Sequence, residues 1–197
     1  MLKKVTHLHN IVAIAVPGRL EISLLDDIRV VYESSTSRKG GMASIQRGSL
    51  TSKQLTELHG DIEIAIKFFT NSKLTDEEIS ETFLFETAIM ASLPVSPNII
   101  QLIGFSTMAK AIVMPYYEQN LSSYVRQSTC RLPRSKILKI ASDIASGMQL
   151  IHDQAKLLHL DLKPRKYSAK FVFTILSENS SEYTRQFGPW QSYLCNL

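Results

Sequence analysis

Asp61-Ile-Glu-Ile-Ala-Ile-Lys-Phe-Phe69 alternates strictly between apolar and other side chains. In an extended chain successive side chains point to opposite faces, so Ile62, Ile64, Ile66 and Phe68 fall on one face and Glu63, Ala65 and Lys67 on the other. The stretch predicts a strand with one apolar face turned toward a core. Upstream, the β-branched run Ile28 to Tyr32 predicts a strand, the Ser- and Gly-rich Glu33 to Gly41 a turn, and Met42 to Arg47 the returning strand. Ser49 to Gly60 is polar and reads as a connection, and residues 1–27 carry no assignable pattern.

Downstream, Thr75-Asp-Glu-Glu78 has the form of a capping box, which opens a helix. Ile79, Phe83, Met90 and Leu93 fall on one helical stripe, and Pro94 ends it. Glu86 lies on that same stripe. A carboxylate facing inward needs a partner, because burying an unpaired charge costs several kcal/mol. Ile99 to Phe105 and Ala111 to Met114 predict two short strands, Pro115 to Asn120 a linker, and Leu121 to Arg126 a short helix. A long helix follows over Ser135 to His152, with Ile137, Ile140, Ala141, Ile144, Met148 and Ile151 aligned. Strands with one helix, followed by helices, predict an α+β fold with a helical second part.

Composition sets broad limits. The 197 residues are 44% hydrophobic and 20% charged, as in an ordinary globular domain. No apolar run nears the roughly 20 residues of a membrane helix. Ile11 to Val16 follows Lys3 and Lys4, but His7, His9 and Asn10 interrupt the stretch and Pro17 closes it, which argues against a secretory leader. Cys130 and Cys195 make no metal or redox spacing, so a reduced, cytoplasmic or otherwise intracellular setting is expected. The net charge of +4 comes from scattered residues rather than a basic patch, and no nucleic-acid partner is expected.

Lys67 and Glu86 make a first pair of candidate functional residues. A strand lysine is commonly an edge or solvent-facing residue, and a helix glutamate is commonly tolerated where it stands. Together they offer a strand-to-helix ion pair that would satisfy the inward carboxylate. A second candidate group follows the long helix: His159-Leu160-Asp161-Leu162-Lys163-Pro164.

This hexapeptide, with Ala65-Ile-Lys67 and Glu86 upstream in the same order, resembles the protein kinase family of the serine/threonine type. The resemblance covers residues from about 28 to 164. It implies a small lobe over 28–114, made of an antiparallel sheet and one helix. A hinge and the start of an incomplete helical large lobe would follow over 115–164, and then a divergent tail over 165–197. It implies ATP as cofactor, Lys67 on the α/β-phosphates, and Glu86 paired to Lys67. Ala65 and Ile45 would pack on adenine. Met114 would be the gatekeeper residue, and adenine would bond to the Pro115 carbonyl and the Tyr117 N–H. Gly40 and Ala43 would fall in the phosphate-covering loop, although a plain hairpin turn reads that stretch equally well. Asp161 would accept the substrate hydroxyl's proton and Lys163 would steady the transferred phosphate. The implied partner is a protein substrate, or a full-length kinase with which this chain competes.

The chain also departs from the family pattern. Arg38 takes a loop glycine's place, and Leu160 replaces an Arg that normally pairs with a phosphorylated activation loop. The family's Mg²⁺-ligating Asn falls at Lys166, an ammonium that repels a cation, and its adenine-floor leucine falls at Ser168. No Asp-Phe-Gly occurs, so Mg²⁺ is expected for the family while its ligands are missing here and no metal residue is assigned. The pattern reads as a kinase truncated just after its catalytic loop. A changed reading frame, retained intron or alternative 3′ end is a hypothesis for that break, and kinase-like codons in the downstream nucleotide sequence would test it. Without later helices, the 135–152 helix is expected to expose apolar surface. Two functions follow as expectations: an ATP-dependent protein kinase that is inactive in this form, or a non-catalytic kinase-like binding module or gene fragment.

Overall fold

A computed structural model describes residues 21–31, 38–39, 43–128, 132–159 and 162–164. In chain order these residues form β1 (Ile28–Val31), β2 (Arg38–Lys39), β3 (Ala43–Leu50), α1 (Lys53–His59), β4 (Glu63–Phe69), α2 (Asp76–Ser92), β5 (Gly104–Ser106), β6 (Ala111–Pro115), α3 (Leu121–Gln127) and α4 (Arg134–Asp153). They fall into two compact units. The first takes the described residues up to Ser92 together with Gln101–Tyr116, and the second takes Leu93–Ile100 and the described residues from Tyr117 on.

The first unit is an antiparallel sheet in the order β1-β3-β4-β6-β5, with β2 also paired to β3. This is the α+β architecture of a kinase small lobe. The β4 alternation works as its sequence suggests on one face: Ile64 and Ile66 are fully buried with Leu50 and Val113. The opposite face is buried too, since Ala65, Lys67 and Phe69 are all covered. Phe83 of α2 meets Phe69 edge-on at 5.7 Å between centroids and Phe105 at 6.3 Å.

The Ile64 face is covered by chain that carries no assignment in the sequence. Ile22 is 3% exposed and packs into that core with Leu55 of α1. Its N–H donates to the Phe105 carbonyl at 2.8 Å. Glu21 accepts from the Thr107 N–H at 2.8 Å and from the Thr107 hydroxyl at 3.0 Å. At the other end of this segment the Asp27 carbonyl accepts from the Thr51 N–H at 2.8 Å. Residues 21–27 therefore strap the sheet from β5 to β3.

Two expected elements differ. Ser49 to Gly60 is not a plain connection, because β3 continues to Leu50 and Lys53–His59 is helical. Ile99 to Phe105 is not one strand, because the strand β5 spans only Gly104–Ser106. Ile99, Ile100 and Ile103 are buried outside β5, and the Ile103 N–H still donates to the Val113 carbonyl of β6. Phe69 completes the Lys67 face and gives β4 apolar contacts on both sides.

α2 begins with a closed capping box. The Thr75 N–H donates to Glu78 Oε2 at 2.8 Å and the Glu78 N–H donates to Thr75 Oγ1 at 3.2 Å. Asp76, Glu77 and Glu78 place negative charge at the positive end of the helix dipole. The helix stops at Ser92, two residues before Pro94.

In the second unit Leu93, Ile99 and Ile151 form a small core, with Leu121, Ile144 and Met148 against it. Asn120 caps α3 by accepting from the Ser123 N–H at 2.8 Å. The buried line of α4 runs through Ile140, Asp143, Gly147 and Ile151. Ile137 is 47% exposed and Leu138 58%, and Ala141 is exposed as well. The buried stripe is thus rotated toward Gly147, whose missing side chain lets Asn98 approach. Asp143, inside that stripe, pairs with Lys139 one turn earlier. Among the described residues no helix is long and apolar enough to cross a membrane.

Candidate functional site

Two periodicities bring Lys67 and Glu86 together. The two-residue repeat of β4 puts Lys67 on the face beneath α2, and the helical repeat puts Glu86 on the inner side of α2 near Phe83. The Lys67 ammonium lies 2.6 Å from Oε1 and 2.7 Å from Oε2 of Glu86. The residues are 6% and 5% exposed. Burial of either charge alone would be costly, and the bidentate pairing offsets it. The ammonium also stands 4.7 Å from the Phe69 ring centroid. An ammonium held this way is a fixed point charge suited to an anion such as phosphate.

Strand register places further candidates beside it. Ile45 is directly opposite Lys67, Ala43 opposite Phe69, and Met114 opposite Ala65. Directly paired residues share a face, so Ala43, Ile45, Ala65, Lys67 and Met114 line one side of the sheet. Ala65 and Met114 are buried, while Ala43 and Ile45 are half-buried.

Pro115 ends β6 opposite Ile64. One residue on, the Tyr116 N–H donates to the Glu63 carbonyl at 2.8 Å. Main-chain groups alternate sides along a strand, so the Pro115 carbonyl points away from β4. On that side the Val113 carbonyl accepts from Ile103 at 2.9 Å, and β5 begins only at Gly104, opposite Val113. A proline is tolerated here because no ladder N–H is required of it. Tyr117 belongs to the second unit and is half-buried. Burial pushes its phenol pKa above the ordinary value.

Lys163 is half-buried in the second unit. Gly40 and Asp161 lie outside the described residues, as do Leu160, Lys166 and Ser168. Among the described residues no three His, Cys, Asp or Glu side chains gather as a metal site. The donor set brought together on the sheet therefore fits a nucleotide's anionic and apolar parts, while Lys166 does not fit a divalent cation.

Arg47 was not singled out by the sequence. It sits opposite Ala65, pairs with Glu63, and stacks over Tyr116 at 5.0 Å. Its place in the alternation of β3, two residues from Ile45, is the one signal that puts it on this face.

The family described as protein tyrosine and serine/threonine kinase matches residues 36–167. Among curated relatives, "Integrin-linked protein kinase 1" of Arabidopsis thaliana is 31% identical over 106 residues, 52% of this chain and 22% of that protein. A Dictyostelium discoideum protein named "Probable serine/threonine-protein kinase" is 27% identical over 162 residues, 78% of this chain and 11% of that protein. "Tyrosine-protein kinase hopscotch" of Drosophila melanogaster is 27% identical over 146 residues, 73% of this chain and 12% of that protein. The matched part thus spans between about a tenth and a quarter of these relatives' lengths.

Proposed function

We propose, from the premise that this chain belongs to the protein tyrosine and serine/threonine kinase family, that it binds ATP on the Lys67 face of its sheet. The observation that carries this reading is the buried Lys67–Glu86 ion pair. It fixes an ammonium where α- and β-phosphate oxygens would meet it. Ile45 and Ala65 would hold the adenine between apolar surfaces, with Met114 limiting the depth of the site. The Pro115 carbonyl and Tyr117 N–H would bond the adenine edge. Asp161 would accept the proton of a substrate serine or threonine hydroxyl, and Lys163 would steady the transferred phosphoryl group. The Asp161-Leu-Lys-Pro164 order favours the serine/threonine class.

Transfer by this 197-residue polypeptide is a different matter. Mg²⁺, when bound in the family, neutralises charge developing on the phosphates. Lys166 stands where an Asn ligand is expected and opposes that role. We therefore assign the chain nucleotide binding with little or no phosphoryl transfer, in an intracellular setting, with a protein as its partner. Nucleotide-induced thermal shift with and without Mg²⁺, run beside phosphate transfer to a basic protein substrate, tests this. ATP should raise the melting temperature of the wild type more than that of Lys67→Met, with little metal dependence. Absence of any ATP shift would overturn the binding reading. Strong Lys67-dependent transfer would overturn the inactive assignment.

A further inference from the structure

The hinge-side end of the sheet carries an arginine with no part in the nucleotide contacts proposed above. Arg47 lies across from Ala65, so its side chain leaves the same face as Ile45 and Lys67. Its guanidinium pairs with the Glu63 carboxylate. It also stands 5.0 Å from the centroid of the Tyr116 ring. Glu63 in turn accepts the Tyr116 N–H at its main-chain oxygen, at 2.8 Å. The three residues close a triangle. Glu63 holds Tyr116 by main chain and Arg47 by side chain, and Arg47 covers the Tyr116 ring. A planar guanidinium can bond in its plane and stack on its face at once, which a lysine ammonium cannot do.

The position of this triangle gives it a consequence. Tyr116 is the residue between the Pro115 carbonyl and the Tyr117 N–H. Its own N–H is committed to β4, which turns the Pro115 carbonyl the other way. Whatever fixes the rotation of residue 116 fixes the direction of that carbonyl. We infer that Arg47 is a positioning residue for the purine edge of the nucleotide site, acting through Tyr116 and without contact to the nucleotide. The inference rests on the ATP-binding reading above. The side chains of Arg47 and Glu63 are 31% and 55% exposed, so their ion pair adds little to global stability. The effect of losing Arg47 is therefore local to the hinge.

The test compares full-length wild type, Arg47→Ala and Lys67→Met. Affinities are measured for ATP, adenosine and inorganic tripolyphosphate, and hydrogen exchange is followed in the nucleotide-free protein. Arg47→Ala should weaken adenosine and ATP by about fivefold, the scale of one cation–π contact, and leave tripolyphosphate unchanged. Lys67→Met should weaken ATP and tripolyphosphate and spare adenosine. In the free protein, Arg47→Ala should speed exchange at the Tyr116 amide while Ile64 and Ile66 keep wild-type protection. Equal loss for adenosine and tripolyphosphate, or no loss for either, overturns the positioning role. If wild type binds none of the three probes, the ATP reading falls and takes the purine role with it. The exchange data then decide separately whether Arg47 pins the hinge: faster exchange at Tyr116 supports the clasp, and unchanged exchange overturns it.

Discussion

At the residue scale, Lys67 and Glu86 have a stability role separate from any ligand. Removing one partner leaves the other charge buried and uncompensated, whereas removing both leaves apolar groups of similar volume. Lys67→Met should lower the unfolding free energy by about 3 kcal/mol in urea titration. The double variant Lys67→Met/Glu86→Leu should recover most of that loss and still bind ATP more weakly than wild type. A double variant no more stable than the single would show that the pair is not the source of the loss. His59 gives a pH prediction. Its Nε2 is buried without a hydrogen-bond partner among the described residues, and desolvation holds its pKa below the ordinary value. The unfolded chain then takes up the proton at higher pH than the folded chain does. Stability is full above the ordinary histidine range and falls as pH drops through it toward the lowered folded value. His59→Gln should remove that part of the slope in melting temperature as pH falls through the ordinary histidine range. Glu86 was legible because helix periodicity put a carboxylate on a buried face, and Lys67, which strand alternation put on the face opposite the apolar one, was legible only as the partner that carboxylate needs. Arg47 was not, because its meaning depends on which β4 residue faces it, and that pairing is not written in either strand alone.

At the scale of elements, legibility followed the strength of local pattern. β4 and α2 announce themselves by alternation and by a capping box. α1 has only Leu55 and Leu58 as large apolar residues over Lys53–His59, and its N-cap Ser52 makes no side-chain bond. Too little periodicity was available to mark it. The strap at 21–27 was equally hidden, since one buried isoleucine makes no pattern. Its contribution is measurable. Ile22→Ala should destabilise the sheet unit by about 2–4 kcal/mol in chemical denaturation. A loss under about 0.5 kcal/mol, the scale of an ordinary surface change, would mean that Ile22 is not core. Gly147 in α4 sets two effects against each other. Alanine is the better helix former by about 1 kcal/mol. A Cβ there would sit 2.9 Å from the Asn98 carbonyl oxygen, which is backbone and cannot swing aside. Forced shifts of this kind cost about 1–3 kcal/mol, so Gly147→Ala should destabilise on balance. A net gain in helix stability by circular dichroism melting would contradict that.

At the scale of the whole molecule, the two units are built with unequal cores. The sheet unit buries both faces of β4, with Ile64, Ile66, Ile112 and Val113 fully enclosed and Phe83 locked between two rings. The helical unit centres on Leu93, Ile99 and Ile151, and leaves Val125, Ile137 and Leu138 substantially exposed on α3 and α4. Opening free energy follows buried apolar contact, so the units should open separately. Limited proteolysis should first cut within α3 and α4 and leave a resistant fragment spanning the strap through β6. ATP should slow any later cleavage of that fragment, since its proposed phosphate and adenine contacts lie chiefly on the sheet. The retained fragment should still bind tripolyphosphate through Lys67, because the ion pair that fixes the ammonium lies wholly within it. Simultaneous loss of both units in one cooperative step would refute the division. Loss of tripolyphosphate binding from an otherwise folded fragment would show that the Lys67 ammonium does not suffice for the phosphate contact.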